Sequence, residues 1–342
     1  MTDCVRTEHG CEYHLTGRPE SWAYETPSML KLRAAFKPAE LEICKLCAAM
    51  RGKGPILFAG PWIGEFGWEL ARWQGRVRKA AGCRQQAAGW YIIVMGDVGH
   101  HLLYPYAHEY WEVPRFFREA GFTRQCDHVR GGPFDRGHKE IAAYLRLLAW
   151  LIARELASVG PVHMTIQPQR FRPDEQDIVR LNVPDAARWR PEGRYFCVLP
   201  RLRSWNPQKN WPAFKWLDLM AALQGDGSPY GEQAMVVGAP DEVRTLQPEY
   251  ACEERWSLHR SIALLGGAEF AIAPESGGAL LSLLCGCPTV VFGHMRNKKR
   301  ITADENFLST PVHYVARNDY SHSAAEVLEG VRALLRDMQR AA

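Results

Sequence analysis

The sequence predicts an α/β fold made of two open sheets in tandem, and three observations carry that prediction. The 342 residues are 46% hydrophobic and 23% charged, enough apolar content for packed interiors and enough length for two domains. From Pro55 onward, short apolar runs alternate with helical stretches, the pattern of strands buried on both faces of a parallel sheet. A polar stretch from Gln167 to Arg194, with Pro168, Pro173, Pro184 and Pro191, interrupts that rhythm midway.

In chain order, residues 1–50 read as an extension without a clear strand pattern, carrying one amphipathic helix near Pro38 to Met50. Residues 51–170 form the first domain. Its strands are 55–59, 91–95 and 162–166, and its helices are 67–80, one near 110–120, and a long one over 138–158. Residues 171–193 are the linker. Residues 194–320 form the second domain, with strands 195–199, 234–238, 269–273 and 288–292 and helices 212–224, 258–266 and 277–286. Residues 321–342 close the chain with a packing helix that has a basic end. Ligands of open parallel sheets bind at the C-terminal ends of the strands, so two such sheets are expected to face each other across an interdomain cleft.

Composition narrows the function classes. A net charge of +4 is mild for this length and does not predict a dedicated nucleic-acid binder, although Arg296, Lys298, Lys299 and Arg300 form a local basic cluster. No apolar run reaches the ~20 residues needed to span a bilayer, and the opening residues lack the pattern of a secretory signal. The expected location is the cytoplasm. Ten cysteines are too dilute for a disulfide scaffold. Cys44 and Cys47, with Cys4, His9, Cys11 and His14 upstream, supply metal-ligand types but no standard metal-binding spacing, so no metal site is expected.

Three motifs carry chemistry. In Ala273-Pro274-Glu275-Ser276-Gly277-Gly278-Ala279-Leu280, a strand ends in a carboxylate, a hydroxyl and paired glycines and then enters a helix. Unpaired N–H groups at such a helix start favour a phosphate, and Glu275 can accept from ribose hydroxyls. A Ser-capped helix with glycines chosen for tight packing is the structural alternative. After the first strand of the same domain comes the run Pro200 to Pro212, whose Arg201, Arg203 and Lys209 are placed to neutralise a departing diphosphate. After the first strand of the N-terminal domain comes Gly60-Pro61-Trp62-Ile63-Gly64-Glu65-Phe66-Gly67-Trp68-Glu69, where Glu65 is placed to act as general base. Glu69 is expected to face solvent from the first helical turn. Asp97, in Gly96-Asp97-Val98-Gly99-His100-His101, is the alternative base, and His100 or His101 could orient an acceptor. The aromatic segment Tyr104, Tyr106, Tyr110, Trp111, Phe116 and Phe117 reads mostly as core, with stacking on a sugar or base as the alternative.

Taken together, Gly64-Glu65, Lys209-Asn210-Trp211-Pro212 and Glu275-Ser276-Gly277, followed by Leu280 to Val291, resemble the bacterial heptosyltransferase-like family of GT-B glycosyltransferases. The resemblance implies a GT-B type fold of two Rossmann-like domains and transfer of a sugar from a nucleotide-diphosphate donor to an acceptor hydroxyl. It implies Glu65 as base, where the family has Asp, and donor contacts from Lys209, Glu275, Ser276 and Gly277, to which the reading of the loops themselves adds Arg201, Arg203 and Gly278. Two departures, Glu for Asp at both acidic positions and Ala279-Leu280 where a His usually follows, separate the donor expectation from ADP-heptose. No D-x-D motif stands beside a strand, so metal-independent transfer with no cofactor beyond the donor is expected; direct displacement predicts inversion, and an internal cleft that needs no partner makes a monomer the expected state. The alternatives are transfer to nucleic-acid bases and a silent nucleotide-sugar or glycan binder.

Overall fold

The computed structural model describes residues 3–7, 10–14, 39–62, 64–85, 89–114, 148–149, 151–165, 176–203, 206–224, 233–244, 246 and 257–341. The chain divides into two compact units, Met1–Asp177 and Ile178–Ala342.

The first unit holds a parallel sheet of order β5-β4-β3-β6, with β3 at Ile56–Ala59, β4 at Tyr91–Gly96, β5 at Glu109–Glu112 and β6 at Val162–Thr165. All three pairings are parallel, with Ile56 opposite both Tyr91 and Val162. Strands β3 and β4 are buried almost throughout, as their continuous apolar runs require. One face packs Phe58, Ile93 and Met95 against Leu148, Leu151, Ile152 and Leu156 and against Ile43, Cys47 and Met50. Ile43 and Cys47 lie on helix α1, residues 39–49, and Met50 directly follows it. Residues 39–50, expected within an extension, therefore belong to this core. Full burial of a side chain such as Ile43 is worth about 2 kcal/mol relative to exposure.

Two further expectations are corrected in this unit. Asp3–Thr7 (β1) and Gly10–His14 (β2) pair antiparallel, so the opening segment does contain strands. Residues 109–112, expected to begin a helix, form strand β5. Tyr110 and Trp111 are strong strand formers, and β4 supplies the pairing partner that a helix reading ignores. Glu109 consolidates it by accepting from the Tyr91 hydroxyl at 2.9 Å and the Trp111 indole at 2.8 Å. Residues 115–147, which include Phe116, Phe117 and the first ten residues of the expected long helix, lie outside the described residues; 151–157 are helical (α4), as expected.

Between β3 and β4 the helix is not uniform. It starts as α2 (Phe66–Trp68), widens to a π turn over Glu69–Trp73 and continues as α3 (Gln74–Gln85).

The second unit holds a five-stranded parallel sheet of order β11-β10-β9-β7-β8, with β7 at Phe196–Val198, β8 at Ala234–Val236, β9 at Ala271–Pro274, β10 at Thr289–His294 and β11 at Val312–Arg317. Its helices are α5 (Ala213–Gln224), α6 (Pro240–Arg244), α7 (Leu258–Leu265), α8 (Gly277–Leu284) and α9 (Ala324–Ala341). Strand β11 and helix α6 were not anticipated. The chain runs from β7 outward to β8 and then returns to the other side of β7 with β9, so the strand order reverses between β7 and β9. Ligands of open parallel sheets favour that position. The core gathers Phe196, Val198, Trp216, Leu219, Phe270, Ile272 and Phe292 with Val327 and Val331 of α9. Among the described residues, no helix is long and apolar enough to cross a membrane.

Candidate functional site

The C-terminal edge of the second sheet brings together two of the motifs. Glu275 follows β9 directly, and its side chain is fully buried. The Lys209 ammonium, from the loop after β7, lies 2.5 Å from Glu275 Oε1. Tyr320 donates its hydroxyl to the same oxygen at 2.7 Å, and Tyr314 donates to Oε2 at 2.7 Å. The Asn297 amide reaches both oxygens at 2.8 and 2.9 Å, and the His294 backbone N–H donates to Oε2 at 3.1 Å. Five protein donors thus surround one carboxylate. Burial pushes the Glu275 carboxyl upward, but the hydrogen bonds from Lys209 and Tyr320, the Lys209 charge and Tyr314 outweigh it and hold it below the usual carboxylate range.

This arrangement gives Glu275 an internal task, fixing Lys209 and Tyr320. One ammonium proton faces Glu275; an ammonium carries three, and the Lys209 side chain is 18% exposed. The same packing explains Gly293 on β10, where a Cβ would lie 2.6 Å from Glu275 Cγ and Oε2 and 2.7 Å from the Tyr314 hydroxyl. Tyr314, Tyr320, Asn297 and Gly293 were missed in the sequence because they come from β10, β11 and the segments after them, 18 to 45 residues beyond Glu275. No local motif links them.

Ser276 occupies the N-cap position of α8 in an extended conformation, yet its side chain makes no capping bond. Ser276, Gly277 and Gly278 are partly exposed. A Cβ on Gly278 would lie 3.1 Å from Leu199 Cδ2, so tight packing also bears on that glycine.

The arginines of the β7 loop are engaged locally. Arg201 donates to Asn210 Oδ1 at 2.5 Å and to the Asn206 carbonyl at 3.2 Å. Arg203 Nε lies 3.5 Å from Glu242 Oε1, and Asn210 brackets the Arg203 backbone by accepting from its N–H and donating to its C=O. Asn210 is therefore the organiser of this loop. Ser204 and Trp205 lie outside the described residues.

In the first unit, Gly60 (φ +131°) lets the chain leave β3 against the Met95 carbonyl, where any side chain would clash. Glu65 then stands at the N-cap position of α2, partly exposed, with no side-chain capping bond. Asp97, just after β4, accepts from the Val98 N–H at 2.8 Å, and its carbonyl accepts from the Tyr110 hydroxyl. Glu69 corrects an expectation. It is buried, not solvent-facing, with its Oε2 2.6 Å from His100 Nδ1 and its Oε1 accepting from the Tyr104 hydroxyl at 2.7 Å. The physical reason is that His100 and Tyr104, which come from the segment after β4, bond both of its oxygens and so let the carboxylate stay inside. Tyr104 and Trp111 are buried, and the Tyr106 hydroxyl donates to the Gln74 carbonyl.

Among the described residues, no group of three His, Cys, Asp or Glu side chains gathers in a metal-binding arrangement. Cys47 lies in the core with its thiol pushed up to about 12 by burial first and by Glu155 and Cys44 after it. His9 lies outside the described residues. Of the basic cluster, Arg300 pairs with Glu305 at 2.5 Å, while Arg296, Lys298 and Lys299 are exposed.

No family model matches the chain, and no curated protein does. Solved structures do. A glycosyl transferase family 9 protein from Veillonella parvula DSM 2008 is similar at 13% identity and a TM-score of 0.52, covering 83% of this chain and 97% of that one. The E. coli ADP-heptose LPS heptosyltransferase II is similar at 14% identity and a TM-score of 0.48, over 84% and 99% of the two chains. An E. coli heptosyltransferase solved with ADP gives 15% identity and 0.47, over 82% and 99%. The first likeness is one of fold, and it agrees with the two-unit, Rossmann-like α/β class expected from the sequence.

Proposed function

We propose that the chain is a glycosyltransferase that moves a sugar from a nucleotide-diphosphate donor to an acceptor hydroxyl, with inversion and without a metal ion. The observation that carries this reading is the junction of Lys209 with Glu275 at the head of α8, beside the β7/β9 reversal. A fixed ammonium and helix N–H groups that Ser276 does not cap suit a diphosphate that gains negative charge as it leaves. In this reading Lys209, Ser276, Gly277 and Gly278 contact the donor, Glu275 acts through Lys209 and Tyr320, and Arg201 and Arg203 add positive potential. An acceptor hydroxyl loses its proton to a side chain of the N-terminal unit, for which Glu65 and Asp97 are the sequence-derived candidates. The fold of the Veillonella protein supports the reaction class, and the name of that protein is where the class comes from.

The test is thermal stability of the full chain against ADP, GDP, UDP, dTDP and the glucose conjugate of each. A ligand at about 100 times its dissociation constant adds about 2.7 kcal/mol of stability. A rise with one nucleotide, absent in a folded Lys209→Ala variant, is expected. No rise with any member contradicts the reading and leaves a silent relative of the fold. The exposed Arg296, Lys298 and Lys299 favour one second reading, a nucleic-acid acceptor. DNA affinity that falls steeply with salt would support it.

A further inference from the structure

We propose that the second unit carries another binding site, apart from the Lys209–Glu275 junction, which takes a small organic anion bearing a carboxylate or a phosphate. The site is a cavity of about 310 Å³ lined by Arg180, Asn182 and Arg190 and by the apolar Leu181, Val183 and Ile262. Its volume falls within the range of small-molecule sites, ~300–1,000 Å³. All six residues belong to the second unit. The three apolar side chains are buried, whereas both arginines reach the surface.

The backbone fixes both guanidiniums. Arg180 donates its Nε–H to the Cys285 carbonyl at 2.9 Å, and Arg190 donates its Nε–H to the Ala263 carbonyl at 3.0 Å, at the ends of α8 and α7. Glycines clear their seats, since a Cβ on Gly286 would lie 2.7 Å from Arg180 Cζ and one on Gly267 would lie 2.5 Å from Arg190 Nε. The Leu181 N–H donates to the Leu284 carbonyl at 2.8 Å and pins the segment that bears Arg180. Helix capping accounts for one bond from each arginine. It does not account for two such arginines opening onto one apolar-walled cavity.

A guanidinium offers five donors in a rigid fork, of which the carbonyls take only the Nε–H, and among the described residues no acidic side chain pairs with Arg180 or Arg190. Each carries a full positive charge against roughly half a negative charge at a helix end, so the mouth of the cavity stays positive. A carboxylate or phosphate can accept from the free arms of the forks, and a hydrocarbon part then covers Leu181, Val183 and Ile262. Helices α7 and α8 end here, ahead of β9 and β10, which places the cavity at the N-terminal edge of the sheet. Lys209 and Glu275 stand at the opposite edge, so the assignment is independent of the glycosyl-transfer reading.

Isothermal titration of the full chain with phenyl phosphate and with benzoate tests the site, with inorganic phosphate as the purely anionic control and benzyl alcohol as the neutral one. Saturable binding of at least one of the two organic anions is expected, tighter than either control by about tenfold or more. Ala186 also lines the cavity, so Ala186→Trp is expected to fill it and abolish binding while leaving both arginines and their carbonyl bonds in place. Arg180→Leu and Arg190→Leu, checked for folding by circular dichroism, are each expected to weaken binding about tenfold or more. Lys209→Ala is expected to bind as the wild type does. Absence of binding by both organic anions overturns the assignment, and so does unchanged binding in a folded Ala186→Trp variant. Binding lost in Lys209→Ala but kept in the arginine variants overturns it as well, because the anion then sits at the other edge of the sheet.

Discussion

Lys209 and Glu275 are 66 positions apart in the chain, and the ammonium of one lies 2.5 Å from the carboxylate of the other. The contact joins the loop after β7 to the end of β9. It makes a motif expected to touch phosphate and a motif expected to touch ribose into one unit.

Removing the lysine leaves a buried carboxylate without its counter-charge. Lys209→Met is expected to lower stability by about 3 kcal/mol. Adding Glu275→Gln to it removes the uncompensated charge and is expected to recover part of that loss. Urea unfolding of both variants checks this. Equal stability of the double and single variants would count against the account.

Gly293→Ala is expected to cost about 1–3 kcal/mol, because its methyl would meet Glu275 and the Tyr314 hydroxyl at sub-van der Waals distance. Gly278→Ala, facing a movable Leu199 methyl at 3.1 Å, is expected to cost less. Melting temperatures of the two variants rank the effects, and the reverse order would contradict the packing described.

Two buried groups of the second unit, His322 and Glu275, contribute to its acid dependence in separate pH windows. His322 is buried, with Nε2 bonded to the Val315 carbonyl, and burial holds its imidazole below the usual range despite that bond. The unfolded chain therefore takes up a proton first, near pH 6.5, so stability falls as pH drops below that value. Glu275 acts lower. Its contribution is present above the ordinary carboxylate range and is lost as pH falls through its depressed folded value. His322→Gln is expected to flatten the change in urea midpoint between pH 7.5 and 5.5 while leaving the loss below pH 4.5 in place. An unchanged upper window would rule out His322 as its source.

The buried thiols should be silent. Cys47, Cys197, Cys285 and Cys287 are at most 1% exposed, and burial raises each thiol. Alkylation of the native chain at pH 8 followed by peptide mass mapping is expected to leave these four unmodified, while Cys44, partly exposed, reacts faster. Fast labelling of Cys47 would show that α1 does not pack as described.

Strands β3, β4, β7 and β9 were legible in the sequence to within a residue or two because both faces of each are buried, which writes a continuous apolar run into the chain. The strand-to-helix turns at Glu275 and Glu65 were legible for the same local reason, since glycines and a carboxylate stand directly after such runs. The partners of those carboxylates were not. Strand β5 was misread because its aromatic residues fit a helix and a strand alike until β4 is beside them, and Glu69 was misplaced because its partners, His100 and Tyr104, lie 31 and 35 residues further along the chain. The sequence by itself determined the α/β class and the positions of the loops that carry polar chemistry. Only the tertiary structure decided that Lys209, Tyr314, Tyr320 and Asn297 meet on Glu275, and that Glu69 turns inward to His100 and Tyr104. Strand burial is a property of neighbouring residues, whereas which side chains meet at a sheet edge depends on strand order, which no short window of sequence contains.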